Sequence, residues 1–236
     1  MATNRDGQSA GAAILDDLRV GLSRDEIARQ LARYGTGKAY DPATRKLIAA
    51  TGGQADLSVE AHRVAVIGWL RAWGCRHLRR ADTARTSEAL RLWWEAWAGR
   101  LPRAQETLTG LNPAALAAAG EAFDALRAAP AASRNVEGRE VGVAFGDTAA
   151  AKLMFAIRPD AFLPWDEQIR RGCGWPGGGG AAYVMLLQLA AAALDGLARR
   201  LGAPVSDLPE LLGRPGSSPP KLVDEFLLVR ISGAPV

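Results

Sequence analysis

Apolar residues recur every three to four positions along most of the chain, which is the spacing of one face of a helix. No segment of useful length alternates with a period of two, as a half-buried strand would. The pattern therefore predicts an all-α fold in a single domain over residues 1–236. The predicted helices cover residues 10–22, 24–34, 58–74, 84–98, 112–129 and 181–201, and one more begins at Asp41.

Start signals mark two of these helices. Ser23 precedes RDEIARQLARY and is the expected N-cap of the second helix, because its hydroxyl can accept a hydrogen bond from a free backbone amide. Asn112 precedes Pro113 in the same way, and proline is favoured at a first helical position.

Segments rich in glycine, proline and serine predict the connections. Residues 34–41 and 131–140 are expected to be loops. The GWPGGGG segment at 174–180 is expected to be a flexible hinge or lid, and residues 213–220 a linker. The last segment, KLVDEFLLVRI at 221–231, is expected to be a buried helix or a strand.

Composition excludes several classes of protein. The 236 residues are 48% hydrophobic, which is enough for a substantial core. No apolar run looks long and charge-free enough to span a membrane, and the N-terminus does not resemble a signal peptide. We therefore expect a cytoplasmic monomer that does not associate with membranes.

Few residues could hold a metal or form disulfides. Cys75 and Cys173 are the only cysteines, and His62 and His77 the only histidines. They are too few for a disulfide scaffold or for a metal site built from these residues, so we expect no metal and no cofactor.

The charge is mildly basic, at +4, and only four of the 29 basic residues are lysines. The composition favours a GC-rich genome as the cause, since alanine is abundant as well. It is also compatible with a polyanionic partner.

Seven tryptophans are many for this length. Leu90, Trp93, Trp94 and Trp97 follow the spacing of a helical core stripe, which predicts packing between helices. Trp69 and Trp73 are four residues apart and are followed by basic residues that include Arg76 and Arg79. Such a group could stack a base and bind phosphates, or it could be a solvated basic end of a helix.

Residues 142–171 carry the most specific pattern. Gly146 permits a turn, Asp147 is the expected N-cap of an apolar helix, and Lys152 lies at the margin of its apolar face. In a partly buried place Lys152 would need an anion, or it would extend to solvent. Asp166 then begins a second helix as an N-cap, which would hold its carboxylate rigidly.

At these residues the sequence resembles the helix-hairpin-helix superfamily of DNA glycosylases. Residues 144–150, AFGDTAA, stand where that family has a Gly-hydrophobic-Gly hairpin, and residues 164–166, PWD, stand where it has a Pro-Val-Asp segment. The resemblance implies two helical subdomains with a cleft between them and the paired motifs at about 136–175. It also implies double-stranded DNA as the partner.

The resemblance further implies a role for each matched residue. Asp166 would stabilise an oxocarbenium-like sugar and orient water, with Lys152 a second catalytic candidate. The DNA contacts would come from the backbone at Gly146 and Thr148 and from the side chains of Arg170, Arg171, Arg76 and Arg79. The pocket for the flipped base would be lined by Trp69, Trp73 and Trp165.

Two positions depart from the family's pattern. Ala144 replaces the first glycine of the hairpin, and Thr148 stands where bifunctional members carry a nucleophilic lysine. The expected activity is therefore base excision without lyase chemistry. The base could be alkylated, deaminated or oxidised, or hypermodified in phage DNA, which would make the protein a defence factor.

Two other functions remain open from the sequence. The chain could be a helical DNA-binding module without catalysis, or a structural or interaction protein in which Asp166 is only a cap. The first predicts DNA binding without abasic sites, and the second predicts no salt-sensitive affinity for DNA.

Overall fold

The computed structural model describes residues 5–35, 40–175 and 177–232. Helices account for 68% of the structure, so the mainly helical class is confirmed. The helices are α1 (Arg5–Asp16), α2 (Arg24–Gly35), α3 (Tyr40–Thr51), α4 (Glu60–Ala72), α5 (Thr83–Trp97), α6 (Pro113–Ala128), α7 (Gly146–Ile157), α8 (Glu167–Gly172), α9 (Gly180–Leu201), α10 (Leu208–Leu211) and α11 (Pro219–Ile231).

The predicted start signals are confirmed where hydrogen bonds define them. Ser23 and Glu26 form a reciprocal cap, in which the Glu26 amide donates to the Ser23 hydroxyl and Glu26 accepts from the Ser23 amide. Asn112 accepts from the Ala115 amide at 2.9 Å. The glycine-rich loop predicted at residues 34–41 lies largely outside the described residues.

The segment predicted as a loop at 131–140 is instead part of a β-hairpin. Strands β1 (Pro130–Val136) and β2 (Arg139–Ala144) pair antiparallel through the two-residue turn Glu137-Gly138. Both turn residues have positive φ, 51° and 81°, which suits the twist of a tight hairpin. The element before Gly146 is therefore a strand and not the first helix of a helix-hairpin-helix, which corrects that expectation at about 136–175.

Buried apolar side chains of the described residues form one continuous core that extends from Leu15 to Leu227. The core itself therefore does not divide these residues into the two expected subdomains. At its centre α6 packs on α9, and the ring of Phe123 stacks on that of Tyr183 at 4.4 Å.

The glycine segment before α9 allows this close packing. A Cβ at Gly180 would lie 2.1 Å from the Gly120 carbonyl oxygen, and a Cβ at Gly178 would lie 2.1 Å from the Asp147 carboxylate. The Gly180 amide also donates to Asp124 at 2.8 Å. The segment expected to be a hinge therefore docks tightly where the structure describes it.

Helix α9 is long and apolar enough to cross a membrane by length and composition, with a mean hydropathy of 1.6 over its best window. This corrects the expectation that no run of that kind is present. In the structure the helix packs on α6 and α11, and its residues Leu186, Leu187, Leu194 and Leu197 are buried. Core helices of this kind meet the same length and composition criteria.

Candidate functional site

Asp166 is the N-cap of α8, as predicted. Its Oδ1 accepts a hydrogen bond from the Ile169 amide at 3.0 Å, and the residue is half-buried. Among the described residues its second carboxylate oxygen has no hydrogen-bond partner. Pro164 and Trp165 before it are buried, so the chain enters the helix along a fixed path. The result is a rigid carboxylate with one oxygen available.

Helix α11 carries charges that face inward. Lys221, Asp224 and Glu225 are 1%, 4% and 0% exposed. Lys221 forms an ion pair with Asp224, and Arg214 forms a bidentate pair with Glu225 at 2.8 Å for each contact. Buried charges are costly unless they are paired in this way.

The Lys221 ammonium also lies against two aromatic rings. It is 4.7 Å from the Tyr34 ring centroid and 5.2 Å from that of Trp73, and it donates to the Tyr34 hydroxyl at 3.1 Å. These cation–π contacts and the ion pair replace the water that the ammonium loses. We call Tyr34, Arg214, Lys221, Asp224 and Glu225 the buried charge cluster.

Asp166 lies close enough to this cluster to affect it. Burial raises the pKa of Asp224 to about 6 despite the adjacent Lys221, and the negative charges of Asp166 and Glu225 act in the same direction. Asp166 therefore lies near a region that already concentrates buried charge.

The sequence analysis did not identify the buried charge cluster. A signal was present, because Lys221, Asp224 and Glu225 are spaced i, i+3 and i+4 and therefore share one face of a largely apolar helix. Helical periodicity assigns such charges to solvent, whereas tertiary pairing with Arg214 and Tyr34 keeps them inside.

Lys152 has a structural partner. Its Nζ donates to the Trp73 carbonyl at 2.7 Å, at the C-terminal end of α4, where free carbonyls carry partial negative charge. The structure thus gives Lys152 the role of joining α7 to α4. It does not direct the amine at the carboxylate of Asp166.

The three tryptophans predicted for a base pocket differ in accessibility. Trp165 is 0% exposed and packs among Phe123 and Tyr183, so its ring has no free face, which corrects that expectation. The half-buried Trp73 already contacts Trp69 at 4.1 Å and both nearby ammonium groups. Trp69 is only 3% exposed, and it borders a cavity.

That cavity has a volume of about 240 Å³. It lies between α3, α7 and the segment before α11, with Trp69 and Phe155 at one side and Asp160 at another. Burial raises the pKa of the Asp160 carboxyl above its ordinary value. The volume is below the roughly 300–1,000 Å³ of sites for drug-sized ligands, so the cavity suits a smaller flat molecule.

The turn into α7 exposes backbone donors. Gly146 has φ of 68°, and no side chain of the described residues caps the helix. The first amides of a helix lack acceptors within it, and here Gly146, Asp147 and Thr148 are all partly exposed. Such amides at the positive end of a helix are suited to bind an anion.

Asp147 is not the N-cap that the sequence predicts, because Phe145 occupies that position. Its carboxylate instead accepts from three groups: Arg127, Arg170 at 2.7 Å and the Gly179 amide at 3.2 Å. The Arg170 bond joins the short helix α8, which Asp166 caps, to the first turn of α7. The candidate carboxylate and the exposed turn are therefore held in a fixed relation.

The remaining basic candidates lie at different distances from this turn. Arg79 pairs with Asp82 and donates to the Ser133 carbonyl on β1, whereas Arg76 is exposed. Burial lowers the pKa of His77 between them, and the nearby Phe145 backbone acts in the opposite direction, so this loop lies close to the turn. Arg171 is 79% exposed and pairs with Glu167 on its own helix.

The described residues restrict the chemistry that this site could perform. Both cysteines are buried, and burial raises the pKa of Cys75 to about 11, so neither is an activated nucleophile. Within the described ranges no three histidine, cysteine or acidic side chains come together as metal ligands. No family model, curated protein or solved structure matches the chain. Asp166 and its surroundings are therefore the candidate site for chemistry.

Proposed function

We propose that this chain is a monofunctional DNA N-glycosylase in which Asp166 is the catalytic carboxylate. The observation that carries the proposal is the link between two neighbouring helix starts. Asp166 caps α8, and Arg170 of the same helix bonds to Asp147 beside the exposed amides of α7. A backbone phosphate bound at those amides would therefore have a rigid carboxylate at a fixed distance.

The reaction follows from the groups present. The bond between the sugar C1′ and the base nitrogen breaks, and its electron pair leaves with the base. The available oxygen of Asp166 stabilises the positive charge on the sugar and orients a water. The water oxygen bonds to C1′, its proton is lost through Asp166 to solvent, and the departing base takes up a proton.

Lyase chemistry is not part of the proposal. It needs an amine that attacks C1′ and then forms a Schiff base. Thr148 has no amine, Lys152 is bonded to the Trp73 carbonyl, and Lys221 is 1% exposed and paired. The product is therefore an intact strand with an abasic site.

Trp69 is the tryptophan that we retain for contact with the base. It borders the 240 Å³ cavity together with Phe155, and flat apolar walls favour a heterocycle. The substrate class is a damaged or modified base in duplex DNA. Hypermodified phage bases are included, in which case the enzyme would act in defence.

The decisive experiment compares Asp166→Asn with Glu167→Gln. Asparagine is also a good N-cap, so the first variant keeps the helix start and loses only the charge. Glu167 is the neighbouring exposed acid, whose ion pair is with Arg171. Duplexes with alkylated, deaminated, oxidised and hypermodified bases are incubated with each protein and then treated with alkali.

We expect wild type and Glu167→Gln to give alkali-labile strands on at least one duplex, and Asp166→Asn to bind that duplex without forming alkali-labile sites. Full activity of Asp166→Asn would refute the mechanism. DNA binding without labile sites on any duplex would favour the non-catalytic module. No salt-sensitive binding by any of the proteins would favour the interaction protein.

A further inference from the structure

The β-hairpin that precedes α7 has two different faces. Ser133 and Glu140 lie on the face toward α5, where Ser133 contacts Asp82 and Glu140 pairs with Arg85 at 2.9 Å. The register places Arg134 opposite Val141 on the other face, and Arg139 follows on that face two residues away. All three of these side chains are exposed.

The outward face carries arginines without acidic partners. Arg134 and Arg139 form no ion pair with any described residue, and the same is true of Arg76 and Arg80 in the adjacent loop. By contrast, Arg79 and Arg85 on the inward side are both paired. We call Arg76, Arg80, Arg134 and Arg139 the basic strip.

The basic strip is continuous with the turn at Gly146. Arg79 donates to the Ser133 carbonyl, which fixes the loop that holds Arg76 and Arg80 along β1. His77 of that loop lies close enough to the Phe145 backbone for it to oppose the lowering of the His77 pKa by burial. Strand β2 itself leads directly into Gly146, so the hairpin connects the loop held along β1 to the turn.

We propose that the outward face of this hairpin binds the phosphate backbone of duplex DNA beyond the phosphate held at the α7 turn. The proposal rests on the proposed function for the identity of the polymer. Unpaired arginines on a two-stranded ribbon provide charge complementarity to a regular row of phosphates. Glu137 lies in the turn at the tip of the hairpin. Because its carboxylate repels phosphates, the contact with DNA ends there.

The length of the hairpin predicts the size of the contact. Arg139 begins β2 and Gly146 begins α7, and an extended strand rises about 3.3 Å per residue, so the two positions are roughly 20 Å apart. A turn of duplex DNA is roughly 34 Å for about 10 base pairs. The hairpin should therefore extend the bound region by roughly six base pairs to one side of the excised base.

The test compares two double variants with equal loss of charge. Arg134→Gln with Arg139→Gln removes the hairpin charges, and Arg91→Gln with Arg100→Gln removes arginines that pair with Glu88, Glu95 and Glu121. Both are made in the Asp166→Asn protein, so that DNA is bound and not consumed. Circular dichroism melting checks that each variant folds.

We expect the hairpin variant to lower the slope of log Kd against log salt by about 1.8, because each phosphate that is no longer neutralised accounts for about 0.9. Its hydroxyl-radical footprint should shorten by roughly six base pairs on one side. The control variant should change the slope by less than half as much and leave the footprint unchanged.

Equal effects of the two variants, or an unchanged footprint, would overturn the inference even where the wild-type protein excises bases. DNA binding that depends on the hairpin, with no excision by the wild-type protein, would support the inference and refute the glycosylase proposal. Absence of DNA binding by wild type would overturn both.

Discussion

The turn at the start of α7 and the buried charge cluster on α11 both bring charged groups together. The turn is partly exposed to solvent, whereas the cluster is buried. Around the turn, Arg127 and Arg170 both bind the carboxylate of Asp147, Arg127 also pairs with Asp124 at 3.7 Å, and the first residues of α7 are partly exposed. In the cluster, Lys221 and Arg214 each have their own carboxylate, so the charges of its members balance.

The difference in pairing separates two roles. The partly exposed backbone amides at the start of α7 can bind an external anion such as a phosphate. In the cluster each buried charge is paired with an opposite charge of the protein. Buried ion pairs of this kind often stabilise a fold no better than apolar residues would. The turn is thus suited to binding. The cluster either fixes the arrangement of α2, α4 and α11 or serves the chemistry of Asp166.

The largest expected effect comes from breaking the buried pair. Lys221→Met removes the cation and leaves Asp224 buried beside Glu225, so we expect the free energy of unfolding to fall by about 3–5 kcal/mol. Urea denaturation followed by circular dichroism measures it. A decrease below about 1 kcal/mol would mean that water reaches Asp224.

The matched control removes both charges at once. Lys221→Met with Asp224→Leu keeps the volumes similar and leaves no unpaired ion, so it should restore most of the stability that the single variant lacks. If this double variant is stable but no longer excises bases, the cluster serves the chemistry. If it excises normally, the cluster serves only the fold.

The helices could be predicted from the sequence because their apolar faces repeat over many turns. The predicted segments 84–98 and 112–129 agree closely with α5 and α6, and the Asp166 cap is also confirmed. The hairpin could not be predicted from periodicity, since β1 is short and rich in small and polar residues. Its signal was Glu137-Gly138, followed by alternating valines in β2.

The candidate site could be predicted only in part. Asp166 and Gly146 stand out by local sequence, because caps and turns are decided by a few neighbouring residues. The partners of Asp147 and Lys221 are distant in the chain, and contacts such as Arg127 with Asp147 depend on tertiary packing. Local pattern therefore assigned Asp147 to a cap and left Lys221 without a role.

The second prediction concerns the turn. Asp147→Ala removes the acceptor for Arg127, Arg170 and the Gly179 amide, so the free energy of unfolding should fall by about 2–3 kcal/mol. Because α7 and α8 are no longer joined, excision should fall more than DNA affinity. Glu121→Ala, at an exposed pair, should change stability by less than about 0.5 kcal/mol. Equal losses in the free energy of unfolding for Asp147→Ala and Glu121→Ala would contradict the proposed link between α7 and α8.

The third prediction uses pH to separate the two regions. Native Asp224 keeps its proton until its pKa of about 6, while the unfolded chain loses it near 3.8. The stability from this proton is complete below about pH 4 and is lost as pH rises to about 6. Asp224→Asn should therefore gain stability relative to wild type across that window, as measured by urea denaturation at several pH values.

The acids and bases that face Asp224 define the control for that experiment. Lys221, Asp166 and Glu225 all act on the pKa of Asp224, so Asp166→Asn should shift the window slightly toward lower pH. Glu167→Gln, at an exposed acid, should leave the curve parallel to wild type. Parallel curves for Asp224→Asn and wild type would show that Asp224 titrates as an ordinary exposed carboxyl.

The smallest change in stability is expected at the 240 Å³ cavity. Trp69 lines this cavity and contacts Trp73. Ala156→Leu places a larger side chain in this space and should alter the free energy of unfolding by less than about 1 kcal/mol. If the flipped base enters here, KM for excision should rise by roughly tenfold or more, the effect of about 1.4 kcal/mol of weaker binding. Ala192→Leu, which lines a separate cavity between α1 and α9 without Trp69, is the matched control. An unchanged KM for Ala156→Leu would show that the flipped base does not enter this cavity.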